Sequence, residues 1–275
     1  MTTLTDNTAA PRWATATRRR AAGDLTVGLV ATLVITAATR WLFGLSDTYV
    51  VQSLGSYAVL AALVLRSVPN EHTGYGLGPA NRVTLGRGTL VLPVSALAFA
   101  PAGFTDGLWW WVIAVSTIAM LCDGVDGDVA RRTGACTAFG ARFDMELDSW
   151  LVLALSVLVW RSGKVGPWVL LLGAARYLFV VAGWLWPWLT AELPASLRRK
   201  TVCVIEGVVL LVCLGPIISA SLAATAAAAA LLLLSYSFAV DVRWLADASR
   251  AMTRNPSSMV CPPRKMSSPS DSKSG

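Results

Sequence analysis

The chain has 275 residues, of which 55% are hydrophobic and only 14% charged, and its mean hydropathy is +0.58. A soluble domain carries about 25% charged residues, so a water-soluble globule is excluded and the chain reads as an all-α, polytopic membrane protein. Lys and Arg outnumber Asp and Glu by 23 to 16; five scattered cysteines form no zinc or disulfide pattern, and the lone histidine, His72, leaves histidine-based catalysis without its parts.

Residues 1–24 are polar and basic, with Arg12, Arg18, Arg19 and Arg20, and are expected to form a disordered cytoplasmic tail. Eight apolar segments follow, at 25–44, 48–65, 84–104, 107–127, 141–160, 167–187, 201–218 and 220–240. Each approaches the ~20 residues that cross a ~30 Å hydrocarbon layer as a helix. The first is read as a retained span and not as a removable signal. Polar residues interrupt the third, fourth and fifth segments at one end. Trp109–Trp111, Trp186 and Trp188 suit interfacial aromatic belts. Residues 241–275 form a second cytoplasmic tail, expected to be disordered from about 255.

Charge tests this layout. With the N-terminus inside and eight alternating spans, 19 of the 23 Lys and Arg fall on the inner side, and only Arg40, Arg161 and Lys164 on the outer side. That bias is the positive-inside pattern. It places both termini in the cytoplasm, suits the plasma membrane, and accounts for the basic excess without a nucleic-acid partner.

Six of the sixteen acidic residues fall between Asp123 and Asp148, at the inner ends of the fourth and fifth segments. If the fourth stays helical, Asp123, Asp126, Gly127 and Ala130 recur at i, i+3, i+4 and i+7 and share a face; Gly140, Asp144 and Asp148 do the same at i, i+4 and i+8 on the fifth. Two helices then present two carboxylates each toward one space, while Gly127, Ala130 and Gly140 leave room for a ligand. Four such carboxylates repel unless cations neutralise them. Two divalent metals balance four formal charges, and oxygen-only ligands favour Mg²⁺ or Mn²⁺. Such a centre suits phosphoryl chemistry, because the metals hold both attacking and leaving oxygens. The bland alternative is a solvated acidic loop; an EF-hand is excluded by the spacing.

These residues resemble the signature of the CDP-alcohol phosphatidyltransferase family, D-x2-D-G-x2-A-R-x8-G-x3-D-x3-D. Asp123, Asp126, Gly127, Ala130, Arg131, Gly140, Asp144 and Asp148 fill every fixed position. Upstream, the stretch from Pro79 to Arg87 looks like the family's P-N-x-x-T-x-x-R segment with one extra residue after the proline, which aligns Asn81, Thr84 and Arg87. The resemblance implies a six-helix membrane core at about 80–240, leaving 25–66 as an added two-helix hairpin. It implies transfer of a substituted phosphate from a CDP-linked donor, foremost CDP-diacylglycerol, to a small alcohol or polyol, with release of CMP, in phospholipid biosynthesis. By the same resemblance, Asp123, Asp126, Asp144 and Asp148 hold two divalent cations, Mg²⁺ or Mn²⁺. Asp148 is also the base for the acceptor hydroxyl. Gly127, Ala130, Arg131 and Gly140 line the CDP site, Asn81 and Thr84 lie near the cytidine, and a homodimer is expected.

Asp128 and Glu146 occupy variable positions and are expected to be solvated or paired, and Arg132 and Arg142 to be membrane anchors. Arg176 lies deep in the nearly uncharged run from Trp168 to Trp186. It calls for a structural partner, with Glu206 the candidate, or for an anionic acceptor. Arg198, Arg199 and Lys200 are either inner-side anchors or a site for an acceptor or lipid phosphate; with Arg176 they lean toward a phosphorylated acceptor. Three rivals remain: a CDP-alcohol transferred onto a lipid hydroxyl, a catalytically silent homologue, and a membrane carrier. A carrier would place its acids mid-membrane in two repeated halves, and the chain has no second D-x2-D cluster.

Overall fold

In the computed structural model, residues 12–67, 79–101, 103–133, 138–191 and 196–254 are described, with side chains described for 19–66, 81–101, 103–123, 140–191 and 196–250. These residues form eight α-helices and no strand: α1 Arg12–Phe43, α2 Asp47–Ser67, α3 Pro79–Leu97, α4 Asp106–Thr133, α5 Ala138–Arg161, α6 Leu170–Leu185, α7 Leu197–Leu214 and α8 Ala220–Arg254. A hairpin of α1 and α2 therefore precedes six further helices.

Local chemistry sets the breaks. Gly44 adopts φ +63° between α1 and α2, the left-handed conformation that ends a helix with least strain in glycine. Pro79 opens α3, where its missing N–H costs nothing. Thr105 Oγ1 accepts the Leu108 N–H at 3.3 Å at the start of α4, and Asp106 sits in that first turn, where the helix dipole favours an anion.

Some boundaries depart from the sequence expectation. Residues 12–24 are helical and not disordered, because Ala21 and Leu25 are buried against Tyr57, Leu85 and Phe143 and carry α1 inward. The third span stops at Leu97, where Ala98–Ala100 turn over before Pro101. The seventh ends before Gly215-Pro216. α8 continues past 240 because Asp241 and Leu245 are buried in its contact with the bundle.

Among the described residues, four segments are long and apolar enough to cross a membrane: Arg19–Phe43, Asp47–Arg66, Pro167–Leu185 and Ala220–Arg250. The other helices carry polar residues at one end, the Arg198–Lys200 run on α7 among them. Large apolar side chains face outward, including Trp184 (78% exposed) and Leu232 (73%). Water would penalise that surface and lipid does not. The protein is an integral membrane helical bundle.

α3 is central, packed on α1, α2, α4 and α5; α5 also packs on α6 and α7, and α7 on α8. A Cβ on Gly173 of α6 would lie 2.5 Å from Leu153 Cα of α5, so only glycine permits this close approach. Several buried hydroxyls are satisfied internally, as lipid favours: Thr36 and Ser53 bond each other at 2.7 Å, and Tyr57 donates to the Leu25 carbonyl at 2.5 Å, whereas the Tyr49 and Ser116 hydroxyls find no partner among the described residues. The three cations assigned to the outer side each have structural work. Arg40 pairs with Asp47 at 2.6 Å. Arg161 donates to the Ala98 carbonyl at 2.6 Å and lies over the Phe104 ring. Lys164 donates to the Gly215 carbonyl at 2.5 Å, past the end of α7. Cations at helix C-termini are favoured by the dipole, which explains their departure from the inner-side bias.

Candidate active site

The site forms where three helices converge. α4 contributes Asp123, α5 contributes Asp144 and Asp148 one turn apart, and α3 brings Arg87 between them. One ligand oxygen from each of the three aspartates lies within 4.8 Å of the other two. The i, i+4 spacing on α5 and the packing of α3 against both α4 and α5 produce this convergence.

Arg87 is the centre of the cluster. Its Nη1 donates to Asp123 Oδ1 at 2.7 Å and also to Asp144 Oδ1, and its Nη2 donates to Asp148 Oδ1. Its Nε donates to the Ala119 carbonyl at 3.1 Å, one turn before Asp123 on α4. The Arg87 side chain is 1% exposed, whereas those of Asp123, Asp144 and Asp148 are 40%, 36% and 43% exposed. The guanidinium therefore lies on the buried side of carboxylates that open outward. Among the described residues, three carboxylates meet one guanidinium here, and an arginine cannot release its proton to relax the balance.

Asn81 and Thr84 lie one to two turns before Arg87 on α3, both buried, and the structure brings them to the same end of the bundle. Gly140 lies one turn before Asp144 on α5 and is half-buried. Asp126, Gly127, Ala130 and Arg131 are on the continuous helix α4; their side chains, with those of Asp128 and Arg132, fall outside the described residues, as does His72.

The cations expected near an acceptor are tied to other groups. Arg176 pairs with Glu146 on α5, not with Glu206. This corrects the expected partner. Gly173 seats α6 against Leu153 of α5, and Arg176, one turn further along α6, reaches Glu146 in the N-terminal half of that helix. Arg198 donates to Asp241 at 2.5 Å and to the Ser237 carbonyl at 2.5 Å, and Arg199 donates to Asp241 at 3.2 Å, so both clamp α7 to α8. Lys200 is exposed. The described cysteines are free thiols.

The model of the CDP-alcohol phosphatidyltransferase family matches residues 78–240. The chain belongs to this family. Curated relatives include ethanolaminephosphotransferase 1 of Homo sapiens, 35% identical over 85 residues, which cover 28% of this chain and 21% of that protein. Ethanolaminephosphotransferase 1 of Mus musculus is 34% identical over 85 residues, with the same shares covered. The chain thus matches about a fifth of the length of these relatives. No solved structure matches it.

The residue that sequence reasoning undervalued is Arg87. It stood in the upstream segment only as an aligned position, yet it touches Asp123, Asp144 and Asp148. The available signal was a basic residue nine positions into an apolar helix, three positions after Thr84 and with no acid on its own helix to pair with.

Proposed function

We propose that the chain is an enzyme of phospholipid synthesis. It transfers a substituted phosphate group from a CDP-linked donor to an alcohol and releases CMP, in a reaction that depends on divalent cations. The observation that carries this reading is the outward-opening cluster of Asp123, Asp144 and Asp148, whose ligand oxygens approach one another within 4.8 Å, inside the family match at 78–240.

The donor set fits hard divalent cations. It is oxygen-only, spatially tight and partly open, and among the described residues three carboxylates share the one Arg87 guanidinium. Asp123, Asp144 and Asp148, with Asp126 from the signature, would hold two such ions, Mg²⁺ or Mn²⁺. Bound there, they supply positive charge against the pyrophosphate oxygens of the donor. Asp148 takes the proton of the acceptor hydroxyl while that oxygen bonds to the β-phosphorus and the bond to CMP breaks in line. Arg131 pairs a phosphate by its fork geometry. Asn81 and Thr84 contact the cytidine side, and Gly127, Ala130 and Gly140 keep the approach open.

The leading donor is CDP-diacylglycerol, in keeping with the family's description, and the acceptor is a small alcohol or polyol. Of the cations that the sequence offered for a phosphorylated acceptor, Arg176, Arg198 and Arg199 pair with Glu146 and Asp241, and Lys200 is exposed. A second reading is favoured by the likeness to ethanolaminephosphotransferase 1: a soluble CDP-alcohol donates its phosphoalcohol to a lipid hydroxyl. We assign the site and both termini to the cytoplasmic face of the plasma membrane, a reading that the charge bias supports, with residues 80–240 as the catalytic core, 25–66 as an added hairpin, and a homodimer as the working unit.

The test is CMP release by the purified protein in detergent. CDP-diacylglycerol is offered with single alcohols and sugar phosphates, and CDP-ethanolamine or CDP-choline with diacylglycerol, each with Mg²⁺ or Mn²⁺ and with chelator. Cation-dependent release with the first donor supports the leading reading, and release with the second pair alone replaces it. Cation-independent release removes the metal role, and silence in every pairing removes the proposed activity.

A further inference from the structure

We propose that Arg87 is a resident counter-ion that competes with divalent cations for the carboxylate cluster. It holds Asp123, Asp144 and Asp148 together when no cation is bound, and it must yield their Oδ1 atoms when one binds. The inference rests on the cation-dependent reading above and adds a residue that acts on cation affinity.

Three observations carry it. First, the guanidinium engages all three aspartates through the same kind of atom: Nη1 with Asp123 at 2.7 Å and with Asp144, and Nη2 with Asp148. It occupies the space that makes the carboxylates a ligand set. Second, its position is built in. The side chain is 1% exposed, and its Nε is held by the Ala119 carbonyl at 3.1 Å. A solvated surface arginine that had merely drifted onto acids would have neither feature. Third, the carboxylates remain 36–43% exposed on the side away from Arg87, so a cation from the aqueous phase has an open approach.

The physical chemistry then fixes the sign. Without a positive charge among them, three carboxylates within 4.8 Å of one another would repel and separate. A guanidinium is permanently charged, so it offsets part of that repulsion at any working pH. The same permanence sets it against an arriving divalent cation, since like charges a few ångströms apart repel by several kcal/mol even at an effective dielectric of about 20. Arg87 thus trades cation affinity for the integrity of the cation-free site. It is a positioning residue, acting on the aspartates and not on the reacting atoms.

The experiment is Mn²⁺ titration by calorimetry on the full-length protein in detergent, paired with thermal melting in chelator and in saturating Mn²⁺. Wild type is compared with Arg87→Met, Arg87→Gln and Arg87→Lys, and with the double variant Asp123→Asn, Asp144→Asn. The neutral variants should bind Mn²⁺ at least about tenfold more tightly than wild type. They should melt lower than wild type in chelator and recover most of that loss in Mn²⁺. Arg87→Lys, which keeps the charge, should stay within a few fold of wild-type affinity and serves if the neutral variants fail to fold. Equal or weaker Mn²⁺ binding by folded Arg87→Met or Arg87→Gln overturns the competition while leaving the metal reading intact, provided that wild type binds and the double aspartate variant does not. No Mn²⁺ binding by any of the proteins overturns both.

Discussion

Asp148→Asn separates the proposed base from the other aspartates. Asn retains the shape of the side chain and one oxygen, which can still accept the Arg87 Nη2 hydrogen bond. The variant should therefore stay folded and keep the α3–α5 contact. It loses the proton acceptor and one anionic ligand of a set whose oxygens lie within 4.8 Å. Loss of a positioned general base costs about 10²–10⁴ in rate, or about 3–5 kcal/mol of barrier. A weakened ligand adds a 10–100-fold loss of metal affinity of the size seen for perturbed metal shells, which raised Mg²⁺ can offset. The assay is CMP release against Mg²⁺ concentration, with donor binding followed by calorimetry. At saturating Mg²⁺, turnover should remain at least about a hundredfold below wild type while the donor still binds. Turnover restored to near wild type by Mg²⁺ alone would refute the base assignment and leave Asp148 as a ligand only.

Asp123→Asn and Asp144→Asn should instead lower metal affinity and donor binding together; an unchanged Mg²⁺ titration curve in either would contradict the ligand assignment. Gly173→Leu forces a side chain into Leu153 and Ser156 of α5 and should cost at least about 1–3 kcal/mol as overpacking. Its melting temperature in detergent should fall, and an unchanged melt would mean that α5 and α6 are less closely seated. Arg198→Ala removes donors to Asp241 and to the Ser237 carbonyl, whereas Arg199→Ala removes a 3.2 Å contact with Asp241. Melting should therefore drop more for Arg198→Ala, and a raised acceptor KM with an unchanged melt would show that Arg198 serves the acceptor and not the α7–α8 clamp.

What was legible in the sequence depended on the range of the interaction that decided it. The helices were legible because hydrophobic span length and the inner-side charge bias are local properties summed along the chain. Asp123, Asp144 and Asp148 were legible as a cluster because helical phasing puts each pair on one face, and two consecutive antiparallel helices must bring those faces to the same end of the bundle. Pairings across non-consecutive helices were not legible. Arg87 meets acids 36, 57 and 61 positions away, and nothing in the chain before packing says that α3 will run between α4 and α5. Arg176 shows the same limit from the other side. Its need for a partner followed from the cost of a charge at depth. Its choice of Glu146 over Glu206 followed from Gly173 pulling α6 against α5, a close approach that only tertiary packing specifies. A cation buried in such a bundle is thus a dependable sign that a long-range partner exists, and here the partner of Arg87 is the ligand set itself. An arginine that must find acids somewhere, and carboxylates that must find a cation, satisfy each other in the cation-free protein. On the proposed cation-dependent reading, the same complementarity that holds this site together before it is loaded would set its affinity for the ions that load it.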